Sequence, residues 1–232
     1  MKSKNDTLPR KYGIILFQAF ESLDVFGPLN ALQMVSREYK MDLSLISSTN
    51  LEPVTTGPRT PSMNPMNSSF FQSVVPTHTV DNPPDDLDVL LVPGGLGTIA
   101  PDINSTVDYI RDVYPSLQYI ITVCTGARLA ARAGVLDGKR ATTNKLSYNR
   151  VTPLGPEVNW VPAARWTHDG KVWTSSGVSA GIDVTLAFIE EVYSADVAEQ
   201  VANWMEYERA DGPGDDPFAG LNNLTTQNEF VS

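Results

Sequence analysis

A single cysteine, Cys124, stands where an apolar stretch, residues 118–123, gives way to a run rich in Gly and Ala, residues 125–134. The first stretch reads as a short strand and the second as a helix stopped by Gly134. A side chain at such a turn is lifted out of the sheet and aimed at the helix N-terminus. The partial positive charge there favours thiolate over thiol, and thiolate is the form that attacks carbon. The spacing therefore predicts a thiol pKa below the ordinary value of about 8.5. A buried packing cysteine is the competing reading, because a free thiol also behaves as a small hydrophobe.

A nucleophilic thiolate needs a proton carrier, donors for developing negative charge, and a pocket that excludes water. Asp24, flanked by Leu23, Val25 and Phe26, is the candidate proton carrier, since apolar surroundings hold a carboxyl group protonated. It also suits a helix N-cap, and the two roles are compatible. Gly94 and Gly95 follow a strand-like run and offer backbone N–H groups. Together with the N–H of Thr125 these could form an oxyanion-type hole, or the glycines could simply permit a tight turn. Asn144, after the stretch 140–143, is placed to orient a reactant, and Ser179 and Asp183 open a later helix. Of the two histidines, His78 lies in a Pro-rich stretch and His168 in a turn, so a Cys–His dyad is not expected. No group of His, Cys, Asp and Glu has metal-ligand spacing, and Gly94-Gly95-Leu96-Gly97 is no dinucleotide fingerprint. Neither metal nor cofactor is expected. The four tryptophans read as core or interface.

Strand-like and helix-like segments alternate along the elements that must hold these residues. Strands are expected at 12–18, 41–48, 68–74, 88–93, 118–123 and 140–143, with a hairpin at 164–175 turning on Asp169-Gly170. Helices are expected at 24–39, 105–114, 125–134, 146–154, 179–193 and 196–207. The order implies one α/β domain, residues 12–210, with a largely parallel sheet. Such sheets bind ligands beyond the C-terminal ends of their strands, where Asp24, Gly94, Cys124 and Asn144 all fall. Residues 1–11 read as a flexible leader and 211–232 as a tail that wraps or stays loose. The stretch 50–86, rich in Pro, Ser, Thr and Asn, reads as a surface excursion or a lid.

Composition narrows the partners. Hydrophobic residues make up 41% of the 232, enough for one substantial core. The net charge of −10, from 27 acidic and 17 basic residues, repels phosphate backbones, so no nucleic-acid partner is expected. One cysteine allows no internal disulfide, which suits a reducing compartment. The N-terminus is polar and no apolar run reaches spanning length, so a cytoplasmic protein without membrane contact is expected. Glycosylation-type triplets at Asn67, Asn104 and Asn223 are read as chance matches.

Five segments, taken together, carry a resemblance: Leu23-Asp24-Val25-Phe26-Gly27-Pro28, Val92-Pro93-Gly94-Gly95, Val123-Cys124-Thr125-Gly126-Ala127, the run 134–143, and the run 177–183. Between residues 12 and 208 the chain resembles the ThiJ/PfpI superfamily, whose fold is that of class I glutamine amidotransferases. The resemblance implies a flavodoxin-like three-layer sandwich and a homodimer. The Val-Cys-Thr-Gly elbow and Asp24 look most like the isonitrile hydratase branch. That likeness implies Cys124 as nucleophile, Asp24 as acid and base, and support from Thr125 and Asp183. Superfamily deglycases, glyoxalases and peptidases usually have Glu at the position of Asp24, and many have His after the cysteine. This chain has neither. Regulators with a similar domain continue into a helix-turn-helix domain, which is not expected here. Within the branch His often follows the Ala-Thr-Thr run, where this chain has Asn144.

The expected activity is hydration of a small electrophile, an isocyanide, to an N-substituted formamide. Two alternatives stand beside it. One is another cysteine-dependent lyase, isomerase, hydrolase or glyoxalase acting on a small carbonyl compound. The other is a non-catalytic stress or redox sensor in which Cys124 is oxidised.

Overall fold

The computed structural model describes residues 8–224. The chain opens with β1 (Lys11–Leu16), whose last five residues are all buried, which explains its unbroken apolar run. α1 (Ser22–Val35) and β2 (Asp42–Ser47) follow. The stretch 50–86 forms a two-stranded ribbon of β3 (Val54–Thr55) and β4 (Ser73–Val74), then β5 (His78–Thr79). Next come β6 (Val89–Val92), α2 (Asn104–Val113), β7 (Tyr119–Thr122) and α3 (Gly126–Arg132). β8 (Arg140–Ala141), α4 (Tyr148–Val151) and β9 (Asn159–Trp160) precede the hairpin of β10 (Trp166–Asp169) and β11 (Val172–Ser175). α5 (Ala180–Val192), α6 (Ala195–Trp204) and α7 (Pro217–Leu221) complete the order.

Seven strands make the central sheet in the order β10-β11-β7-β6-β1-β2-β5. Every pairing is parallel except the hairpin β10–β11. α1, α5 and α6 cover one face, with Trp173, Phe188 and Ile189 in their core. α2 and α3 cover the other, over Ile14, Leu90 and Ile120. The architecture has the mostly parallel sheet that the alternation of elements predicts, in the three-layer α/β sandwich that the resemblance implies.

Several expectations about elements change. The stretch 140–143 does not join the central sheet. Only Arg140–Ala141 is extended, paired with β9 in a separate ribbon. Its backbone is bonded instead by side chains of the hairpin: Asp169 Oδ2 accepts the Arg140 N–H at 2.9 Å, and Thr174 Oγ1 accepts that of Thr142 at 2.7 Å. The helix expected over 146–154 is broken into a 3₁₀ turn, the four-residue α4 and a second 3₁₀ turn carrying Pro153, whose missing N–H interrupts the ladder. The strand expected at 68–74 shrinks to β4. Of the leader expected over 1–11, residues 1–7 lie outside the described residues. Arg10 and Lys11 are tied down, both donating backbone N–H groups to Asp88 Oδ2 at 2.7 and 2.9 Å.

The tail wraps. Asp216 caps α7, and its carboxylate lies 3.5 Å from Lys145 Nζ in a pair that is almost wholly buried. Lys145 also donates to Thr142 Oγ1 and to the Ala164 carbonyl, at 2.8 and 2.7 Å. Ala219 and Leu224 pack with Tyr148 in a small cluster of their own.

Candidate active site

β1 and β6 are neighbours at the middle of the sheet, yet their onward connections run to opposite sides, β1 to β2 and β6 to β7. A sheet with such a switch point opens a crevice beyond its strand ends. Asp24 reaches it from the first turn of α1, Gly94 stands two residues past β6, and Cys124 two past β7.

Cys124 holds a left-handed backbone, φ +57°, which non-glycine residues seldom adopt. The fold pins it there. Its N–H donates to the Ser176 carbonyl at 3.0 Å, and Thr143 Oγ1 donates to its carbonyl at 2.9 Å. The turn into α3 is so tight that a Cβ on Gly126 would stand 2.1 Å from the Val92 carbonyl. Val178, also at positive φ (+28°), sends its backbone N–H toward the sulfur, as Thr125 does. Strain of this kind persists only where the surroundings over-determine it.

Asp24 is fully buried. Its Oδ2 accepts the Gly94 N–H at 2.8 Å, while Oδ1 is buried with no hydrogen-bond partner. The N-cap of α1 is Glu21, so Asp24 is not the cap that its sequence position allowed. Burial pushes the Asp24 carboxyl from 3.8 up to about 7, and the charge of Glu21 adds to that. The Gly94 N–H and the neighbouring Cys124 thiol pull the other way. The upward direction agrees with the expectation that apolar surroundings hold this carboxyl group protonated.

The thiol runs against expectation. Burial first, and the charge of Asp24 second, push Cys124 up to about 12. The N–H groups of Val178 and Thr125 oppose the rise without reversing it. The sequence predicts a lowered pKa from the helix N-terminus, but at 6% exposure desolvation of the anion wins. At rest the pair is therefore a protonated thiol beside a carboxyl group raised to about 7, and the two titrations are coupled.

The expected oxyanion donors are largely spent. The Gly94 N–H is taken by Asp24, and the Gly95 N–H donates to Thr125 Oγ1 at 2.9 Å. These bonds fasten the strand end of β6 to α1 and to the elbow. A Cβ on Gly94 would meet the Thr125 nitrogen at 2.5 Å and Asp24 Oδ2 at 2.9 Å, so only glycine fits. The backbone donors that face the sulfur are those of Thr125 and Val178.

A cavity of about 310 Å³ opens on Cys124, Thr125 and Val178. Asn144, Ser147, Arg128 and Arg150 form much of its polar wall, with Leu96, Ile99 and Leu146 as apolar wall. Asn144 Oδ1 accepts the Ser147 N–H at 3.0 Å and so caps the 3₁₀ turn. Ser179 and Asp183 are not in that wall. Asp183 Oδ2 accepts from Arg165 at 2.9 and 2.8 Å, its Oδ1 accepts the Ala210 N–H at 3.1 Å, and Ser179 Oγ accepts from Arg165 at 3.3 Å. Those two residues anchor the hairpin and the chain after α6, so a supporting role for them is indirect. Sequence reasoning passed over Arg128 and Val178. Arg128, one helical turn past Cys124, was detectable by spacing. A valine at positive φ leaves no sequence signal. Among the described residues no group of metal-ligating side chains occurs, and no helix is long and apolar enough to cross a membrane.

The model of the DJ-1/PfpI family matches residues 10–191. The chain belongs to that family. It is 33% identical to an isonitrile hydratase of Pseudomonas putida over 198 residues, 84% of this chain and 77% of that one. A ThiJ/PfpI family protein of Pseudomonas syringae superposes with a TM-score of 0.73 at 24% identity, covering 96% of this chain and 90% of that one. Drosophila melanogaster DJ-1beta superposes with a TM-score of 0.66 at 18% identity, covering 86% and 98%. These two likenesses establish a shared flavodoxin-like fold. The cavity wall is built largely by loops and short turns, from the stretches 96–99 and 144–151 together with Val178.

Proposed function

We propose that the protein hydrates an isocyanide to an N-substituted formamide, with Cys124 as nucleophile and Asp24 as the group that moves the proton. The observation that carries this reading is the pairing of a thiol held at a strained elbow with a buried carboxyl group raised to about 7. The likeness to a hydratase over most of both chains supports it.

The reacting form has Asp24 ionised and Cys124 protonated. As Sγ bonds to the terminal carbon of R–N≡C, the thiol proton passes to Asp24 Oδ1, the oxygen with no other partner. The same proton then goes to the carbon now bonded to sulfur, giving the thioimidate R–N=CH–S–Cys124. The Thr125 and Val178 N–H groups stabilise sulfur while it carries charge. Water adds to the carbon, and Asp24 relays one of its protons to nitrogen. The adduct R–NH–CH(OH)–S–Cys124 then collapses. The C–S bond breaks, the hydroxyl becomes the carbonyl, and its proton returns to sulfur. The sum is isocyanide plus water to formamide, with nothing oxidised.

A redox-sensing role draws less support, because a buried thiol raised to about 12 offers little thiolate to peroxide. The test is formamide production from a panel of isocyanides. Turnover that is lost in Cys124→Ala supports the reading. A folded parent protein that converts none of them rules it out.

A further inference from the structure

Four arginines of this acidic chain find carboxylates, Arg59 with Asp102, Arg111 with Asp108, Arg165 with Asp183 and Arg209 with Glu190, and others, such as Arg132, do not. Two that line the cavity over Cys124, Arg128 and Arg150, pair with no carboxylate among the described residues. Arg128 Nε is buried with no hydrogen-bond partner. Its neighbour Arg132 adds like charge and is itself bonded to the uncharged Asn104. Arg128 is half-buried, and leaving its guanidinium unpaired there is costly unless an anion completes it, while Arg150 is exposed at the same cavity. A guanidinium presents a planar fork of donors that matches a carboxylate. One acid, Glu21, also lines the cavity, and its charge is felt at Asp24. Arg128 belongs to α3 and Arg150 to α4, so the cationic wall comes from elements other than the one that carries the two acids.

We infer that the substrate carries a carboxylate, held by Arg128 and Arg150, which aims its electrophilic carbon at Cys124. This rests on the reading of the cavity as an active site and narrows it to small anionic electrophiles. Arg128 and Arg150 then act as binding residues that set specificity and take no part in the bond changes at sulfur. The negative surface of the protein would repel such an anion, and the two arginines supply the local reversal of sign that admits it.

Cys124 is the one cysteine in the chain, which makes a clean probe. Its alkylation by iodoacetate and by iodoacetamide, taken as a ratio of rates, cancels the reactivity of the thiol and leaves the preference for charge. The ratio should exceed that of a free thiol and fall about tenfold in Arg128→Gln, the loss of one charged hydrogen-bonding partner. A ratio equal to or below that of the free thiol, or unmoved by Arg128→Gln and Arg150→Gln, overturns the inference. Binding needs no reactive sulfur, so calorimetry on Cys124→Ala with propionate, propionamide and inorganic phosphate gives a second reading. Propionate should bind, and propionamide should not. No binding of propionate, or binding of phosphate in its place, overturns the carboxylate. Carboxylate binding without turnover of any isocyanide would leave this inference standing and remove the hydratase. Equal turnover of neutral and carboxylated isocyanides would do the reverse.

Discussion

Asp24 and Cys124 act on each other, and each variant should report on both. Cys124→Ala should abolish covalent chemistry. Asp24→Asn keeps an acceptor for the Gly94 N–H but cannot move a proton, so turnover should fall on the order of 10²–10⁴-fold. The same variant should change stability with a definite sign. A carboxyl group raised from 3.8 to about 7 binds its proton more tightly in the folded chain than in the unfolded one. Its contribution is fully present below pH 3.8 and is lost as pH rises through about 7. Melting temperatures should therefore diverge in favour of Asp24→Asn between pH 4 and pH 8. A constant difference across that range would mean that Asp24 is not desolvated as described. That Cys124 and Asp24 fall at one crevice was legible in the sequence, because a lone cysteine at a strand end and an acid among apolar neighbours are local signals. The thiol pKa was not, because desolvation is a property of the assembled core. For the same reason the sequence could not show that Gly94 and Gly95 spend their N–H groups on Asp24 and Thr125.

At the scale of elements, the elbow depends on close approach. Gly94→Ala would set a methyl group 2.5 Å from the Thr125 nitrogen, so the β6 end must move away from the elbow. That variant should lose activity together with several degrees of melting temperature, whereas Cys124→Ala should lose activity alone. The C-terminal strap is a second element with a clear expectation. Asp216→Ala strands Lys145 as a buried unpaired cation and should cost about 3–5 kcal/mol, as breaking one side of a buried pair does. Chemical denaturation of Asp216→Ala beside Lys145→Met with Asp216→Leu tests this, since the double variant should recover much of the loss. The long helices and central strands were legible from periodicity: α1, α2, α5 and α6 begin within two residues of expectation. The pieces that failed, 140–143 and 146–154, are held by side chains and a proline rather than by regular ladders. Such pieces carry no period to read.

For the whole molecule, symmetric dimers are the commonest soluble assemblies, and the family resemblance implies one. Light scattering should give about twice the 25.3 kDa of the chain, and a monomer at micromolar concentration would contradict it. Strand order explains why distant residues converge. The reversal between β1 and β6 brings Asp24, Gly94 and Cys124, which lie far apart in the chain, to one crevice. Alternating strands and helices made that class of sheet legible, while the cavity wall, made of turns, was not. The measurement that bears most directly on the account is kcat/KM for an isocyanide against pH, in the parent and in Asp24→Asn. Because the reacting pair holds one proton, the parent rate should rise with pH through about 7 and level off above it. The residual rate of Asp24→Asn should lack that step. A parent profile flat through neutrality, or the same step in both proteins, would contradict a proton passed from Cys124 to Asp24.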